Sequence, residues 1–485
     1  MSGVSGTGLV VAGGLAVILG LAHLLDGLLR YGGGPRRRVQ GARWAKRSDL
    51  RDLLAGSQRR GRLVLGRHRG RLLATTGQAS VVVLGPSRIA NKTTGFTIPA
   101  VLEWDGPVVV TSVKSDLLLA TIARRRALGG RTMVFDPTDA TEMATVQATP
   151  LSGCGTWRGA MRVAHRLSSS ARSGSGGLED SEFWYAAAEK LLSPLLFAAA
   201  ISEGEMADVI RWLDGAATAE PEVTEILKES ESAEALSAWR ANWHREERQR
   251  SSIYTTAETI VMAFADPRVL EASSRADYTP ADLLDGKPNT LYLCAPAHEQ
   301  ERLRGLFAAM LSELVGVVQE RSAQSGEPID PPLLLVLDEA ANTAPLPELD
   351  VVASTGAGQG IQLVTVFQDF AQVEARWGKR AATILNNHQA KVFSTGISDP
   401  ETLRYVSAVV GEGEFRQRSE TAAERGRGSS TEGATYRALT PANVVRESQP
   451  GTGLLIYGHR PPARIELRPW FKDPELKGMA KERGR

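Results

Sequence analysis

The chain has 485 residues, enough for a large core and more than one domain. Its formal net charge is +2, so overall charge is no argument for a polyanionic partner. Two cysteines, Cys154 and Cys294, and seven scattered histidines fall into no metal-ligand spacing, which excludes zinc-finger and H-E-x-x-H chemistries and reads as a reduced compartment.

In chain order, the first signal is an apolar run from Leu9 to Leu29, broken only by His23 and Asp26. A stretch of roughly 20 residues suits one membrane span, placed here at residues 8–29. Arg30, Arg36, Arg37, Arg38, Arg43, Lys46 and Arg47 follow it and no basic residue precedes it. Positive charge stays on the cytoplasmic side, so the sequence predicts a single-pass cell-membrane protein with a cytoplasmic C-terminal body. A secretory signal carries its positive flank on the other side. A buried core helix is the remaining alternative. Residues 30–60 read as a basic linker rich in Gly and Arg.

Leu63 to Leu73 alternates apolar and basic residues and suggests a hairpin. Three short β-branched runs come next: Val81–Leu84, Pro107–Thr111 and Thr132–Asp136. Helical patterns fall between them, at Thr93–Leu102 and Ser115–Leu128. This is the βαβ rhythm of a doubly wound, mostly parallel sheet. From Trp157 to about Pro267 the apolar spacing is helical throughout, so residues 157–275 read as an all-α insertion. Strand signals resume at Thr290–Cys294, Leu333–Leu337, Ile361–Phe367, Ala390–Ser394 and Gly453–Tyr457, with a helix at Glu299–Arg321. Phe415–Thr435 is charged, rich in Ser and Gly, and reads as a mobile loop. Residues 472–485 read as a polar tail.

The strand Val81–Leu84 leads into Gly85-Pro86-Ser87-Arg88-Ile89-Ala90-Asn91-Lys92-Thr93-Thr94 and then a helix. Strand, loop, Lys-Thr and helix form the context of a phosphate-binding loop. Such a loop wraps phosphates in inward-pointing N–H groups. Candidate phosphate contacts are Gly85, Ser87, Arg88, Asn91, Lys92, Thr93 and Thr94. Lys92 would neutralise the β/γ oxygens, and Thr93 would bind Mg²⁺. Two departures from the usual pattern stand out. Asn91 replaces the glycine before the lysine, and the first glycine lies one residue too far back. Asn is among the least costly residues in left-handed space, so the turn can survive the first change. The extra residue calls for a bulge at Arg88–Ala90. Two readings remain open: a working ATP site, or a loop that has lost the nucleotide and kept its helix.

Leu333–Leu337 ends in Asp338-Glu339, an acid pair at the C-terminal edge of a buried strand, where open α/β sheets bind ligands. Asp338 would hold Mg²⁺ and Glu339 would orient and deprotonate the attacking water. The competing reading is a helix start, where acids are common. A third strand ends at Gln368-Asp369. Gln368 suits a γ-phosphate sensor or water-positioning residue, and helix capping is its alternative. Arg376, Arg380 and Arg404 are candidates for an arginine supplied across a subunit interface, and nothing in the sequence selects among them. Together these signals divide the body into a nucleotide-binding domain, residues 61–156 and 276–471, interrupted by the insertion.

The chain resembles TraG/TraD-type coupling proteins of conjugative type IV secretion, in their actinobacterial branch. The resemblance rests on Lys92–Gly95 with Ile98-Pro99, Trp104–Val109, Val113–Asp116, Phe135–Pro137, Phe183–Ala187, Leu337–Ala340, and Gly358–Gln362 leading to Phe367–Asp369. It implies a membrane-anchored, RecA-like ATPase using ATP and Mg²⁺, with its all-α domain meeting substrate. It also implies a homo-oligomer, hexameric in many relatives. The implied partners are DNA (a relaxase-bound single strand, or duplex), the relaxase or another secreted protein, and membrane components of the secretion channel. The altered loop keeps a non-hydrolysing adaptor as an alternative, and an FtsK/HerA-like DNA motor as another. Relatives differ in three respects: at Ser87–Asn91, in placing an arginine near Ala357–Gln359, and in often having two spans.

Overall fold

The computed structural model describes residues 41–56, 60–112, 115–172, 179–421 and 429–482. The candidate membrane span and residues 30–40 and 57–59 of the basic linker lie outside them. Among the described residues, no helix is long and apolar enough to cross a membrane.

Among the described residues, thirteen strands follow in chain order. They are β1 (Val64–His68), β2 (Arg71–Ala74), β3 (Ser80–Leu84), β4 (Val108–Ser112), β5 (Thr132–Phe135), β6 (Thr290–Cys294) and β7 (Leu333–Leu337). The others are β8 (Ile361–Phe367), β9 (Ala390–Ser394), β10 (Glu412–Thr421), β11 (Ser429–Ala438), β12 (Thr452–Tyr457) and β13 (Ala463–Glu466). Eleven of them form one sheet in the order β2-β1-β13-β12-β9-β3-β8-β7-β4-β6-β5. From β9 to β5 every pairing is parallel. From β9 outward through β12, β13, β1 and β2 every pairing is antiparallel.

The central strands are buried at every position, mostly with apolar residues, because helices cover both of their faces. Val81 and Val83 of β3 face one core, with Phe96, Ile98, Leu117 and Leu118. Val82 and Leu84 face the other, with Leu303, Phe307 and Leu311 of the long helix Gln300–Ser325. Among its described residues the insertion holds helices and no strand. Its main helices are Trp157–Arg172, Glu179–Ile201, Met206–Gly215, Glu220–Glu229, Ala233–Trp243 and Glu247–Val261. Leu167, Leu192 and Trp239 of these helices belong to the same core as Phe307.

Arg125 is fully buried and serves the end of the sheet opposite the candidate site. Its guanidinium donates to Gly106 O (2.7 Å), Pro288 O (3.0 Å), Trp104 O and Thr290 Oγ1 (2.7 Å). Burial pulls it down to about 10. Cys154 and Cys294 are free and buried, and burial pushes both thiols up to about 12.

Two expectations need correction. β13 was not anticipated, although Ala-Arg-Ile-Glu alternates buried and exposed residues with the strand period of two. The segment expected to be a mobile loop is instead the strand pair β10–β11. Its polar composition argues against a buried core, but backbone pairing in a two-stranded ribbon does not require one. Among the described residues, the ribbon forms one unit with residues 41 and 42, and the rest of the chain forms another. Within that unit, Ala42 N–H donates to Glu412 O at 2.7 Å.

Candidate nucleotide-binding site

β3, β8 and β7 end side by side. Leu84 pairs with Phe367, and Leu337 with Thr365. Asp338, Gln368 and the loop 85–94 therefore emerge at one sheet edge. β8 lies between the loop strand and the acid-bearing strand, an order that no local pattern encodes.

The loop is tight at its base. A Cβ added at Gly85 would lie 2.8 Å from both Ala90 Cβ and Ser394 Cβ, so only glycine fits. Ser87 and Arg88 are exposed, and Ile89 N–H closes on Ser87 O at 2.9 Å. Arg88 has φ 70° and Asn91 φ 52°, both left-handed. Asn91 thus takes the conformation that glycine before the lysine would supply. The extra residue is absorbed where the bulge was expected, with its positive φ at Arg88. The first helical hydrogen bond runs from Gly95 N–H to Asn91 O, 2.7 Å. The N–H groups of Asn91, Lys92, Thr93 and Thr94 precede it and form the open end of the helix, where anions bind.

Lys92 is buried. Its ammonium donates to Gly85 O and to Phe367 O (3.1 Å), so it crosses beneath the loop to the ends of β3 and β8. Burial lowers its pKa, while Asp338, Glu339 and Asp369 pull the other way. Thr93 Oγ1 donates to Asp338 Oδ2 at 2.9 Å. The structure therefore joins the lysine-threonine pair to the acid strand, as the sequence requires.

Asp338 is pushed up to about 6, first by burial, with Glu339 and Asp116 adding repulsion; the Thr93 hydroxyl and Lys92 oppose the shift. Its Oδ1 is buried without a partner. A hydroxyl beside a half-satisfied carboxylate is a hard-oxygen donor set that fits Mg²⁺, which keeps much of its water and takes few protein ligands. Among the described residues, no group of three or more His, Cys, Asp or Glu side chains converges as a metal cluster.

Glu339 adopts φ 49°, ψ 50°, a left-handed conformation that is costly for a non-glycine residue. It opens the short helix Ala340–Thr343 without using its side chain as a cap. Its Oε2 accepts from Asn342 Nδ2 at 3.2 Å. At the third strand end Asp369 and Gln368 make different contacts. Asp369 caps the helix Phe370–Trp377, accepting from Gln372 N–H at 2.8 Å. Gln368 is half-buried, and its N–H donates to Gln372 Oε1 at 2.9 Å.

Of the candidate arginines, Arg380 is paired with Asp350, and Arg376 donates to Ala341 O at 3.1 Å. Arg404 is exposed beside Glu401, 3.4 Å away.

The profile of the family described as "Type IV secretory system Conjugative DNA transfer" matches residues 43–483. The chain belongs to that family. It is 24% identical over 426 residues to Protein VirD4 of Rhizobium radiobacter, covering 84% of this chain and 59% of that protein. It is likewise 24% identical over 412 residues to Conjugal transfer protein TraG of Agrobacterium fabrum, covering 81% of this chain and 60% of TraG. The chain thus spans about three-fifths of the length of these relatives. Among solved structures it is similar to the unbound bacterial conjugative coupling protein TrwBdeltaN70, with TM-score 0.68 and 17% identity, covering 90% of this chain and 95% of that one. TrwB in complex with ADP and Mg²⁺ gives a TM-score of 0.67 at 17% identity, covering 90% and 96%.

One part of the site was missed from sequence. The segment after β13 lies against the loop's helix: Arg468 N–H donates to Gly95 O (3.1 Å) and Trp470 N–H to Thr94 O (3.0 Å). The signal that points to it is Pro99, which removes a donor from that helix.

Proposed function

We propose that this protein is a membrane-anchored coupling ATPase of a conjugative type IV secretion system. It binds Mg-ATP at the 85–94 loop and helps move DNA, alone or with attached protein, to the secretion channel. The observation that carries this reading is the meeting of Lys92, Thr93 and Asp338 at one sheet edge, with Glu339 and Gln368 beside them. Lys92 and the open N–H groups of the loop offer positive charge to the phosphates. Thr93 and Asp338 are the residues that would hold Mg²⁺, which neutralises phosphate charge when bound. Glu339 would accept a proton from attacking water, and Gln368 would position that water.

The left-handed Asn91 favours a working site over the adaptor reading, because the substitution keeps the turn. Measuring DNA-stimulated phosphate release for wild type, Lys92→Ala and Glu339→Gln tests the proposal. Equal residual rates in all three would sink the enzymatic claim. Tight Mg-ATP binding without turnover in the wild type would point to the adaptor. Translocation along duplex DNA with no need of a secretion partner would point to an FtsK/HerA-like motor.

The anchor is residues 8–29, with the body in the cytoplasm. Its support is the apolar run and the basic residues that follow it. Cell fractionation of the full chain and of a chain lacking residues 8–29 tests it: equal recovery in the membrane pellet would overturn the anchor. Ring formation around DNA is part of the same proposal, and mass measurement of the body with and without Mg-ATP and DNA tests it.

A further inference from the structure

We infer that Arg468 is a positioning residue for the phosphate-binding loop, acting through a backbone strap that completes the loop's helix. The inference rests on reading this loop as a nucleotide site.

The argument begins with Pro99. Proline has no N–H, so it cannot donate to the carbonyl four residues back, which is Gly95, and its ring crowds that carbonyl. The chain answers with a π-helical turn, Thr93–Thr97, before the α-helix Ile98–Glu103. Ile98 N–H is drawn to Thr93 O, five residues back, so the Thr94 carbonyl also loses its ordinary donor. Two successive carbonyls, directly behind Lys92 and Thr93, are left for other donors. The extended segment after β13 supplies both, from Arg468 N–H to Gly95 O and from Trp470 N–H to Thr94 O. The approach is close: a Cβ added at Gly95 would sit 3.1 Å from Leu467 Cβ.

The Arg468 side chain anchors this strap. It is buried, 2% exposed, and reaches Glu103 Oε1 (2.7 Å) at the far end of the same helix. It also reaches Asp473 Oδ2 (3.0 Å) and Glu475 Oε2 (3.7 Å). Asp473 in turn caps the helix Pro474–Met479 and accepts from Arg67 Nη2 at 3.1 Å. One guanidinium therefore ties the strap to the helix that carries Thr93 and Thr94. Releasing it frees the Thr94 and Gly95 carbonyls and lets the N–H groups at the helix start turn away from the phosphates.

The test is isothermal titration of Mg-ADP into the full chain, with folding checked by circular dichroism at the same temperature. Arg468→Met should weaken Mg-ADP binding at least tenfold while the protein stays folded, and Arg468→Lys should recover part of the loss. Pro99→Ala restores the missing donor inside the helix. It should bind as wild type, and the double variant Pro99→Ala/Arg468→Met should return to within threefold of wild type. A merely structural arginine would not be rescued in this way. Should Arg468→Met fail to fold, Glu103→Gln loosens the anchor at one carboxylate and should cost at least threefold. Wild-type affinity in folded Arg468→Met, in Glu103→Gln where the former does not fold, or no rescue by Pro99→Ala, would overturn the inference. Absence of Mg-ADP binding by wild type would overturn the nucleotide-site reading instead.

Discussion

The two halves of the site are built in opposite ways. The acid edge, Leu333–Glu339, is local: five buried apolar residues form a strand, and the carboxylates follow where it leaves the sheet. The loop 85–94 is the reverse. Its glycine is confined by Ser394, its lysine is held by Phe367, its threonine by Asp338, and its helix by Arg468 and Trp470. A motif that departs from the usual pattern keeps its geometry here because residues far along the chain hold it. Pattern matching therefore reads the acid edge well and undervalues the loop.

The sharpest way to break the contrast is to remove one charged group from each half. Under the proposed function, Lys92→Ala and Glu339→Gln should each lower DNA-stimulated ATP turnover by about 100-fold or more, since each would remove a group acting on the transferring phosphate. Lys92→Ala should also weaken Mg-ADP binding, whereas Glu339→Gln should leave it near wild type. The paired turnover and titration measurements separate the two halves.

Asp338 gives the next largest effect. Its folded pKa of about 6 lies above the ordinary 3.8, so the folded state holds its proton more tightly. This contribution to stability is fully present below the ordinary value and is lost as pH rises through about 6. Asp338→Asn should therefore stabilise the nucleotide-free protein by about 1–3 kcal/mol at pH near 7.5. The gain should disappear towards pH 4, as urea denaturation at the two pH values would reveal. A variant more stable yet unable to use Mg²⁺ is the signature of a carboxylate buried for a ligand. In the wild type, Mg²⁺ binding should weaken as pH falls through about 6, because the proton competes for the same oxygens.

The smallest effect tests the altered loop. At Asn91, φ 52° suits glycine and tolerates asparagine. Asn91→Gly should keep Mg-ADP affinity within about threefold, a difference under about 1 kcal/mol. Asn91→Val places a β-branched residue in left-handed space and should cost about 1–2 kcal/mol, or about tenfold in affinity. Equal behaviour of the two variants would mean that the left-handed turn does not matter for binding.

Much of the fold was legible because the buried strands and the insertion carry strong periodic signals. The strands at Thr290–Cys294, Leu333–Leu337, Ile361–Phe367 and Ala390–Ser394 match their apolar runs residue for residue. β13 was passed over because four alternating residues are a weak signal beside such runs. The β10–β11 ribbon was read as a loop because its residues are charged, rich in Ser and Gly and poor in large apolar side chains. Asp338 and Glu339 stood out in the sequence because they directly follow an apolar strand, and Lys92 and Thr93 because they follow a strand and loop and open a helix.

The amino-acid sequence by itself determined the parallel-sheet class, the helical insertion, the acid edge and the candidate lysine-threonine pair. Each of these is written in residues close together in the chain, where hydrophobic period and turn chemistry act. Only the tertiary structure decided that β8 lies between the two functional strands, that Asn91 takes the left-handed turn, and that a strap anchored by Arg468 completes the helix behind Thr93. Those outcomes depend on strand order and on carbonyls needing donors, and a donor hundreds of residues away satisfies a carbonyl as well as a near one.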